Sequence, residues 1–547
     1  MQGWPVTSTG PVFFLIREEQ IRTDRNPQNN QASTERKASG KRVLTDRKRY
    51  RIMASQILEK AREYESKAAK QIKAEERPAF HLVPPAGWMN DPNGFSVYQG
   101  KYHLFFQYYP YASHWNDMHW GHAVSDDMLH WEYLPCALAP DCDYDSFGVF
   151  SGSAVTAEDG KQLLMYTAVR KEQTEGETHE FQTQAVAFGD GVNYEKVQPN
   201  PVIDSNELPE GASRIDFRDP KIVRDKDGSY TAYVANRAAD TLGQILAFHS
   251  EDAVHWHFAN VLVKNDGTFG KMWECPDFFE LDGKHLLLVS PQDMEATRDL
   301  EYHCGNGTLC LIGEYDKANE VFHPEKDQSI DYGIDFYAPQ TLLTEDGRRI
   351  MIGWMQNWDT CAIRQPDAPW MGQMTIPREI FLKDGRLYQK PSREVDALRG
   401  KKTEYKNVTV KDECVLEGIN GRVADIEMTI RAKDAEDLFR RFELRFAQVD
   451  RYFTSVSYRP HEGTVKIDRK YSGTRRAVVH QRRCLVQPDT GDIKLRIILD
   501  RFSAEVFIND GEKAMTTTFY TGQEATGISF FCDGEAEMDV TKYELNI

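Results

Sequence analysis

Three acidic residues stand at the heads of segments that share one layout. Asp91 lies in Trp88-Met89-Asn90-Asp91-Pro92-Asn93-Gly94, Asp219 in Phe217-Arg218-Asp219-Pro220 and Glu274 in Trp273-Glu274-Cys275-Pro276-Asp277. A proline directly after Asp91 and Asp219 removes a backbone donor and stiffens the turn, which mounts a carboxylate rigidly at a strand start. Glu274 sits between bulky residues, the surroundings a general acid uses. Arg218 beside Asp219 supplies a cation that keeps a buried carboxylate ionised. Each segment has a plainer reading when taken singly: Asp-Pro-Asn-Gly is a turn in which Asp accepts local amides, and Arg218 with Asp219 is an ordinary surface pair. Brought together, three such carboxylates suit acid–base chemistry on a neutral polyol. Cys275 has no histidine near it in sequence to activate it and reads as a packed pocket thiol. His119 and His122 have the spacing of metal ligands, but an extended segment points them to opposite faces, so no metal is expected.

The carboxylates need elements that bring them together. Residues 88–107, 150–168, 217–235, 273–290 and 337–354 each show a polar head, a run with apolar positions, a turn at Gly100, Gly160, Gly228, Gly283 or Gly347, and an apolar strand. That is the pattern of a β-hairpin. The heads recur roughly every 60 residues, a spacing suited to four-stranded propeller blades. Blades set equivalent strand ends around one axis, so Asp91, Asp219 and Glu274 are expected at one mouth. Residues 377–395 read as one more hairpin closing the last blade. From about Val408 longer strands alternate apolar and polar side chains, as in VADIEMTIRA and FELRFA, and predict a β-sandwich.

The resulting expectation is an all-β chain: a β-propeller over 78–395, a charged linker at 396–407 and a β-sandwich over 408–547. A short helix over 53–77 precedes them, with Ile57, Ala61, Tyr64, Ala68 and Ile72 at helical spacing and Pro78 as its stop. Residues 1–52 hold eleven Lys or Arg against five Asp or Glu. This polar stretch reads as a disordered basic tail, or as an extension upstream of a true start at Met53.

The net charge of −18 argues against a nucleic-acid partner. The 9 cysteines form no CxxC pair, which predicts neither a disulfide framework nor a zinc site and fits a reducing, cytoplasmic setting. No segment approaches a membrane span. Aromatic content of 11%, with 10 Trp and 24 Tyr, suits stacking on sugar faces, and large all-β proteins are also often rich in such rings.

Residues 88–94, Gln107-Tyr108-Tyr109-Pro110, Phe150-Ser151-Gly152-Ser153, Arg218-Asp219-Pro220 and Glu274-Cys275-Pro276 together resemble, in order, the motifs of glycoside hydrolase family thirty-two, the invertase and β-fructofuranosidase family. The resemblance covers about 53–547, including Ser503-Ala504-Glu505-Val506-Phe507 in the sandwich, and 53–94 looks most like bacterial sucrose and sucrose-6-phosphate hydrolases. It implies a five-bladed propeller joined to a sandwich, and retaining hydrolysis of terminal β-fructofuranosides such as sucrose or its 6-phosphate, without metal or organic cofactor. Fructan hydrolysis or fructosyl transfer is the near alternative, and a non-enzymatic carbohydrate-binding propeller a remote one. It further implies Asp91 as nucleophile, Glu274 as acid/base and Asp219 as transition-state stabiliser, with Asn90, Gln107, Trp115, Phe150, Ser151, Arg218, Tyr337 and Trp354 binding sugar. Two positions depart from the family pattern: Tyr109, where many relatives have Asn, and Asn116, where a Gly is expected after Trp115. Both concern the pocket rim and the leaving group.

Overall fold

The computed structural model describes residues 56–547 except 175, 362–367, 434–437, 474–478 and 487–490; the 1–52 tail and residues 53–55 of the expected helix lie outside the described residues. Five antiparallel sheets of four strands form the blades, the first of them extended by the two-residue strand Trp370–Met371 laid parallel on Gly87 and Trp88. The first strand of each blade (Gly87–Tyr98, Gly148–Thr156, Phe217–Arg224, Trp273–Leu281 and Tyr337–Leu343) packs against the first strands of neighbouring blades, so these five line the axis. The five hairpin turns have their glycines at φ from +76° to +97°, which a residue with a Cβ adopts only under strain.

All five axial strands are irregular just inside their heads. Pairing is interrupted between Met89 and Pro92, Phe150 and Gly152, Glu274 and Asp277, and Tyr337 and Gln340, and in the third blade opposite Tyr233 to Ala235. A bulge frees a backbone group from the ladder and re-aims the neighbouring side chains. Each freed or nearby N–H is caught by a side chain of another blade. Gly152 N donates to Asn93 Oδ1 at 3.2 Å, Asp219 N to Thr167 Oγ1 at 2.8 Å, Cys275 N to Asp219 Oδ2 at 3.0 Å and Ala338 N to Ser290 Oγ at 2.9 Å. Phe95 N donates to Gln340 Oε1 at 3.3 Å and closes the ring between the fifth blade and the first. Asp219, Cys275 and Ala338 are held at φ +62°, +52° and +50°, local strain that these bonds offset.

The sandwich is built on one long strand, Gly527–Leu545, which pairs first with Arg441–Val449 and then with Ala424–Ala432. The change of partner falls at Gly534, whose φ of +112° lets the strand turn from one layer to the other. A single apolar core including Ile426, Leu444, Val506 and Phe530 fills the space between layers. Of the charged stretch expected as a linker at 396–407, the first residues end the short helix Arg393–Ala397 and the rest belong to a strand, Arg399–Cys414, paired along Gly527–Leu545. It is an edge strand, and its run of lysines is what a solvent-facing edge carries.

The N-terminal helix covers 56–69 of the described residues, and a single 3₁₀ turn at Ala74–Glu76 follows it before Pro78. Its buried face differs from the apolar stripe expected from spacing. Ala61 and Glu65 are buried while Ile57 and Tyr64 are each 41% exposed, because Arg62 and Glu65 bond the backbone of Cys136 and turn the helix toward that strand.

Propeller and sandwich meet through buried charge. His81 Nδ1 lies 2.7 Å from Asp500 and its Nε2 2.9 Å from Glu505; Arg378 bonds Glu505, Asp331 and Thr516, and Arg469 bonds Asp335 and Thr518. Phe80, Ile376, Ile498 and Phe507 surround this network with apolar contact. No helix among the described residues is long and apolar enough to cross a membrane.

Candidate active site

The heads of the five axial strands face one mouth, and the side chains there form one cluster. Its floor is apolar and sealed: Trp88, Met118, Cys275, Tyr337, Ala338, Trp354 and Met371 are buried together, with Tyr109, Trp115 and Phe150 half-buried around them. Asp91 and Asp219 are buried at 8% and 6% exposure, and one thiol bridges them: Cys275 Sγ lies 3.7 Å from Asp91 Oδ2 and 3.6 Å from Asp219 Oδ2.

Asp91 is oriented by Ser151, whose hydroxyl donates to Oδ2 at 2.7 Å, while Oδ1 is buried with no partner among the described residues. Burial pushes its carboxyl up to about 6; the Ser151 hydrogen bond works against this and the Glu274 charge adds to it. Asp219 is pushed up to about 7, again by burial first, with Arg218 holding it down and the charges of Glu274 and Asp91 raising it. Burial and the same two aspartates push the Cys275 thiol far up, so it is neutral and acts as a donor, not a nucleophile.

Glu274 is held from both sides. Arg218 Nε and Nη2 each donate to Oε1 at 3.0 Å, and the Tyr337 hydroxyl lies 2.7 Å from Oε2 and 3.0 Å from the Ser290 carbonyl. The sequence reading paired Arg218 with Asp219; the structure turns it to Glu274 and leaves Asp219 Oδ2 at 4.0 Å. Asp219 stands at φ +62°, outside regular strand alternation, and its carboxylate takes the Cys275 N–H while Arg218 reaches Glu274 on the same neighbouring strand. Arg218 is also bonded by Asp216, two residues back on its own face, at 3.0 Å.

The remaining residues inferred from motif position are placed as follows. Asn90 Oδ1 accepts the Trp88 indole N–H at 2.7 Å. Gln107 Nε2 donates to Val149 O at 2.9 Å and ties the first blade to the second. Trp115 meets Phe150 edge-on with ring centroids 5.8 Å apart. Trp354 is fully buried, and its indole N–H has no partner among the described residues. Nine of the eleven inferred residues are joined by these contacts; Asn90 adjoins Asp91 in the chain, and Gln107 braces the wall between the first two blades. The residues that sequence reasoning missed are the supports: Thr167 and Ser290 behind the bulges, Asp216 behind Arg218, and Gln182, which accepts Phe217 N–H at 2.9 Å. Only Asp216 left a sequence signal, its i−2 spacing from Arg218; the others come from neighbouring blades.

The carboxylates are met by Arg218, Tyr337, Ser151, Cys275 and backbone N–H. Elsewhere, among the described residues, one cluster has ligand-like spacing, Asp141, Cys142 and Asp145, and it already holds the Lys196 ammonium 2.6 Å from each aspartate. His119 and His122 are both buried and face different partners, the Asp117 carbonyl and His103. A cavity of about 310 Å³ lies beside the propeller–sandwich boundary, lined by Gln356, Trp370, Met371, Phe502 and Tyr520 among others; it shares Met371 with the mouth but contains none of the three carboxylates.

Comparison with known proteins places this geometry in context. The sequence model of the glycosyl hydrolases family 32 N-terminal domain matches residues 81–391, and that of the family 32 C terminal matches 394–546. The chain is 36% identical over 469 residues to raffinose invertase of Escherichia coli, covering 83% of this chain and 91% of that protein. It is 35% identical over 464 residues to sucrose-6-phosphate hydrolase of Escherichia coli, with 83% and 91% covered. Levanase of Bacillus subtilis is 34% identical over 488 residues, with 83% and 68% covered. Among solved structures, β-fructofuranosidase of Bombyx mori matches with a TM-score of 0.76 at 33% identity, over 89% of this chain and 98% of that one. A mutant of the same protein in complex with sucrose matches with a TM-score of 0.76 at 32% identity, over 89% and 98%.

Proposed function

We propose that this chain, which belongs to glycosyl hydrolase family 32, hydrolyses terminal β-D-fructofuranosides with retention of configuration, and that sucrose or sucrose-6-phosphate is its substrate. Asp91 attacks the anomeric carbon while Glu274 protonates the departing glycosidic oxygen; the carbon–oxygen bond breaks as the bond to Asp91 forms. A water molecule then gives its proton to Glu274 and attacks the same carbon, Asp91 leaves, and fructose is released. Asp219, latched to the Cys275 backbone, stabilises the oxocarbenium-like charge from a fixed position. Arg218 and Tyr337 keep Glu274 in place through its change from acid to base, and Ser151 aims Asp91.

The observation that carries this reading is a buried acceptor and a buried donor in one carboxylate-lined mouth, Asp91 Oδ1 and the Trp354 indole N–H, neither satisfied within the described residues. Buried polar atoms are costly without partners, and a sugar ring offers both kinds of hydroxyl contact. The aromatic floor and the likeness to named invertases and a sucrose complex support the substrate class. The likeness to a levanase supports β-fructan as a second substrate of the same chemistry. No disulfide joins the cysteines among the described residues, which supports a reducing compartment and a cytoplasmic enzyme.

The test is sucrose hydrolysis in aqueous methanol followed by NMR, with Asp91→Asn as the control. The expected products are fructose and methyl β-D-fructofuranoside, both lost in the variant. Inversion to the α-fructoside, or full activity of Asp91→Asn, overturns the mechanism. Comparing kcat/KM on sucrose, sucrose-6-phosphate and short inulin then ranks the three leaving groups.

A further inference from the structure

If the fructosyl unit sits over the sealed floor, the leaving group lies outward, against the half-buried rings Tyr109, Trp115 and Phe150. Tyr109 is the one of these three without a role by motif position. It ends the second strand of the first blade and pairs with Trp88, three residues before Asp91. Its hydroxyl accepts the Asn116 side-chain N–H at 3.3 Å. A phenol that accepts one bond still has a proton to donate.

The Tyr109 ring is buttressed from behind. It meets Tyr111 edge-on at 5.5 Å and 74°, and Tyr111 meets Tyr64 edge-on at 5.0 Å and 63°. The Tyr64 hydroxyl donates to Tyr111 O at 3.3 Å, and Lys60 Nζ lies 5.5 Å from the Tyr111 ring centre. Tyr64 and Lys60 belong to the N-terminal helix, which is fixed to the outermost strand of the first blade. Arg62 Nε donates to Cys136 O at 2.9 Å, Glu65 Oε1 accepts Cys136 N–H at 2.8 Å, and Ala61 is fully buried in the blade core. The helix supplies none of the eleven site residues, yet its aromatic contacts run to the rim.

The geometry points to Tyr109 as a specificity-determining residue that donates its phenolic hydrogen to a hydroxyl of the leaving sugar, with Tyr111 and Tyr64 as positioning residues through which the N-terminal helix holds that ring. This rests on the fructosidase reading of the mouth. Edge-to-face contacts fix ring orientation as well as burying area, so loss of Tyr111 releases Tyr109 without touching the carboxylates.

The experiment measures kcat and KM for sucrose and for methyl β-D-fructofuranoside, whose leaving group has no sugar ring. Tyr109→Phe should raise KM for sucrose about fivefold, the effect of one neutral hydrogen bond, and leave the methyl fructoside unchanged. Tyr111→Leu should do the same, and Tyr111→Phe, which keeps the ring, should match wild type. Tyr64→Ala, on a 41% exposed position, gives the same readout if Tyr111→Leu does not fold. An unchanged ratio between the two substrates in Tyr109→Phe, or equal loss on both, overturns the role of Tyr109. A Tyr111→Phe variant as impaired as Tyr111→Leu, or a Tyr64→Ala variant with the wild-type ratio, overturns the relay from the helix. If the wild-type enzyme releases fructose from neither substrate, the fructosidase reading fails instead, and the two failures are told apart.

Discussion

Replacing Ser151 by alanine should move the acid limb of the pH–rate profile upward without disabling the enzyme at high pH. Asp91 must be a carboxylate to attack, and burial has already raised it to about 6. The Ser151 hydroxyl, 2.7 Å from Oδ2, favours the charged form, and Ser151 is itself only 4% exposed, so water does not readily replace it. A hydrogen bond to a charged group contributes about 1.5–3 kcal/mol. At 1.36 kcal/mol per unit this corresponds to about 1–2 pH units. Near pH 6 about half of the wild-type Asp91 is ionised, against roughly 1–10% in the variant, so kcat/KM on sucrose should drop about 5- to 50-fold there. At pH 8 the two enzymes should agree within about twofold in the ionisation of Asp91. Asp219 titrates in the same region and is itself raised by the Asp91 charge, so the acid limb reports the two carboxyls together, and the shift between the two profiles reads what Ser151 contributes to that pair. Initial rates of reducing-sugar release from pH 4.5 to 9 supply the measurement. A variant whose loss is the same at every pH would mean that Ser151 only binds sugar and does not tune the nucleophile.

Three further outcomes are expected. Glu274→Gln should suppress sucrose hydrolysis but spare the first step on an aryl fructoside, whose leaving group needs no proton; a fructosyl adduct on Asp91 should then accumulate, visible by mass spectrometry and discharged by azide. Arg218→Lys keeps the charge but cannot fork onto Glu274 and Asp216 together, so kcat/KM should fall about a hundredfold, the scale of a broken buried pair; a loss below threefold would remove the clamp from the mechanism. His81 is fully enclosed: burial works to lower its pKa, but Asp500 and Glu505 outweigh that and raise it from 6.5 to about 9. Its contribution of about 3 kcal/mol is therefore complete below pH 6.5 and lost as pH rises through 9, while the depressed Asp500 and Glu505 contribute above their ordinary range and lose that contribution in acid. Stability by thermal or denaturant unfolding should fall from pH 6.5 to 9 in wild type and much less so in His81→Gln; parallel slopes would assign the loss to other groups.

What could be read from the sequence was whatever local chemistry repeats. The glycine turns at Gly100, Gly160, Gly228, Gly283 and Gly347 set hairpins at a blade-like spacing, and alternation after Val408 marked a sandwich, because both patterns depend only on neighbours a few residues apart. The acids at equivalent heads were visible for the same reason. Pairings between blades were not. Arg218 reaches Glu274 instead of Asp219, Thr167 catches the Asp219 backbone, and Ser290 catches Ala338, because ring closure brings together strands some 50 residues apart and a bulge decides which way each head turns. The helix shows the same limit: its apolar stripe pointed to Ile57 and Tyr64 as the buried face, but two bonds to Cys136 rotated Arg62 and Glu65 inward and left Tyr64 to meet Tyr111. The lysines at 401–406 read as linker until Gly527–Leu545 was present to pair with them. Sequence determines the periods and the residue types placed at each head. Tertiary structure decides the partners, since those depend on which strand ends the closed ring sets side by side.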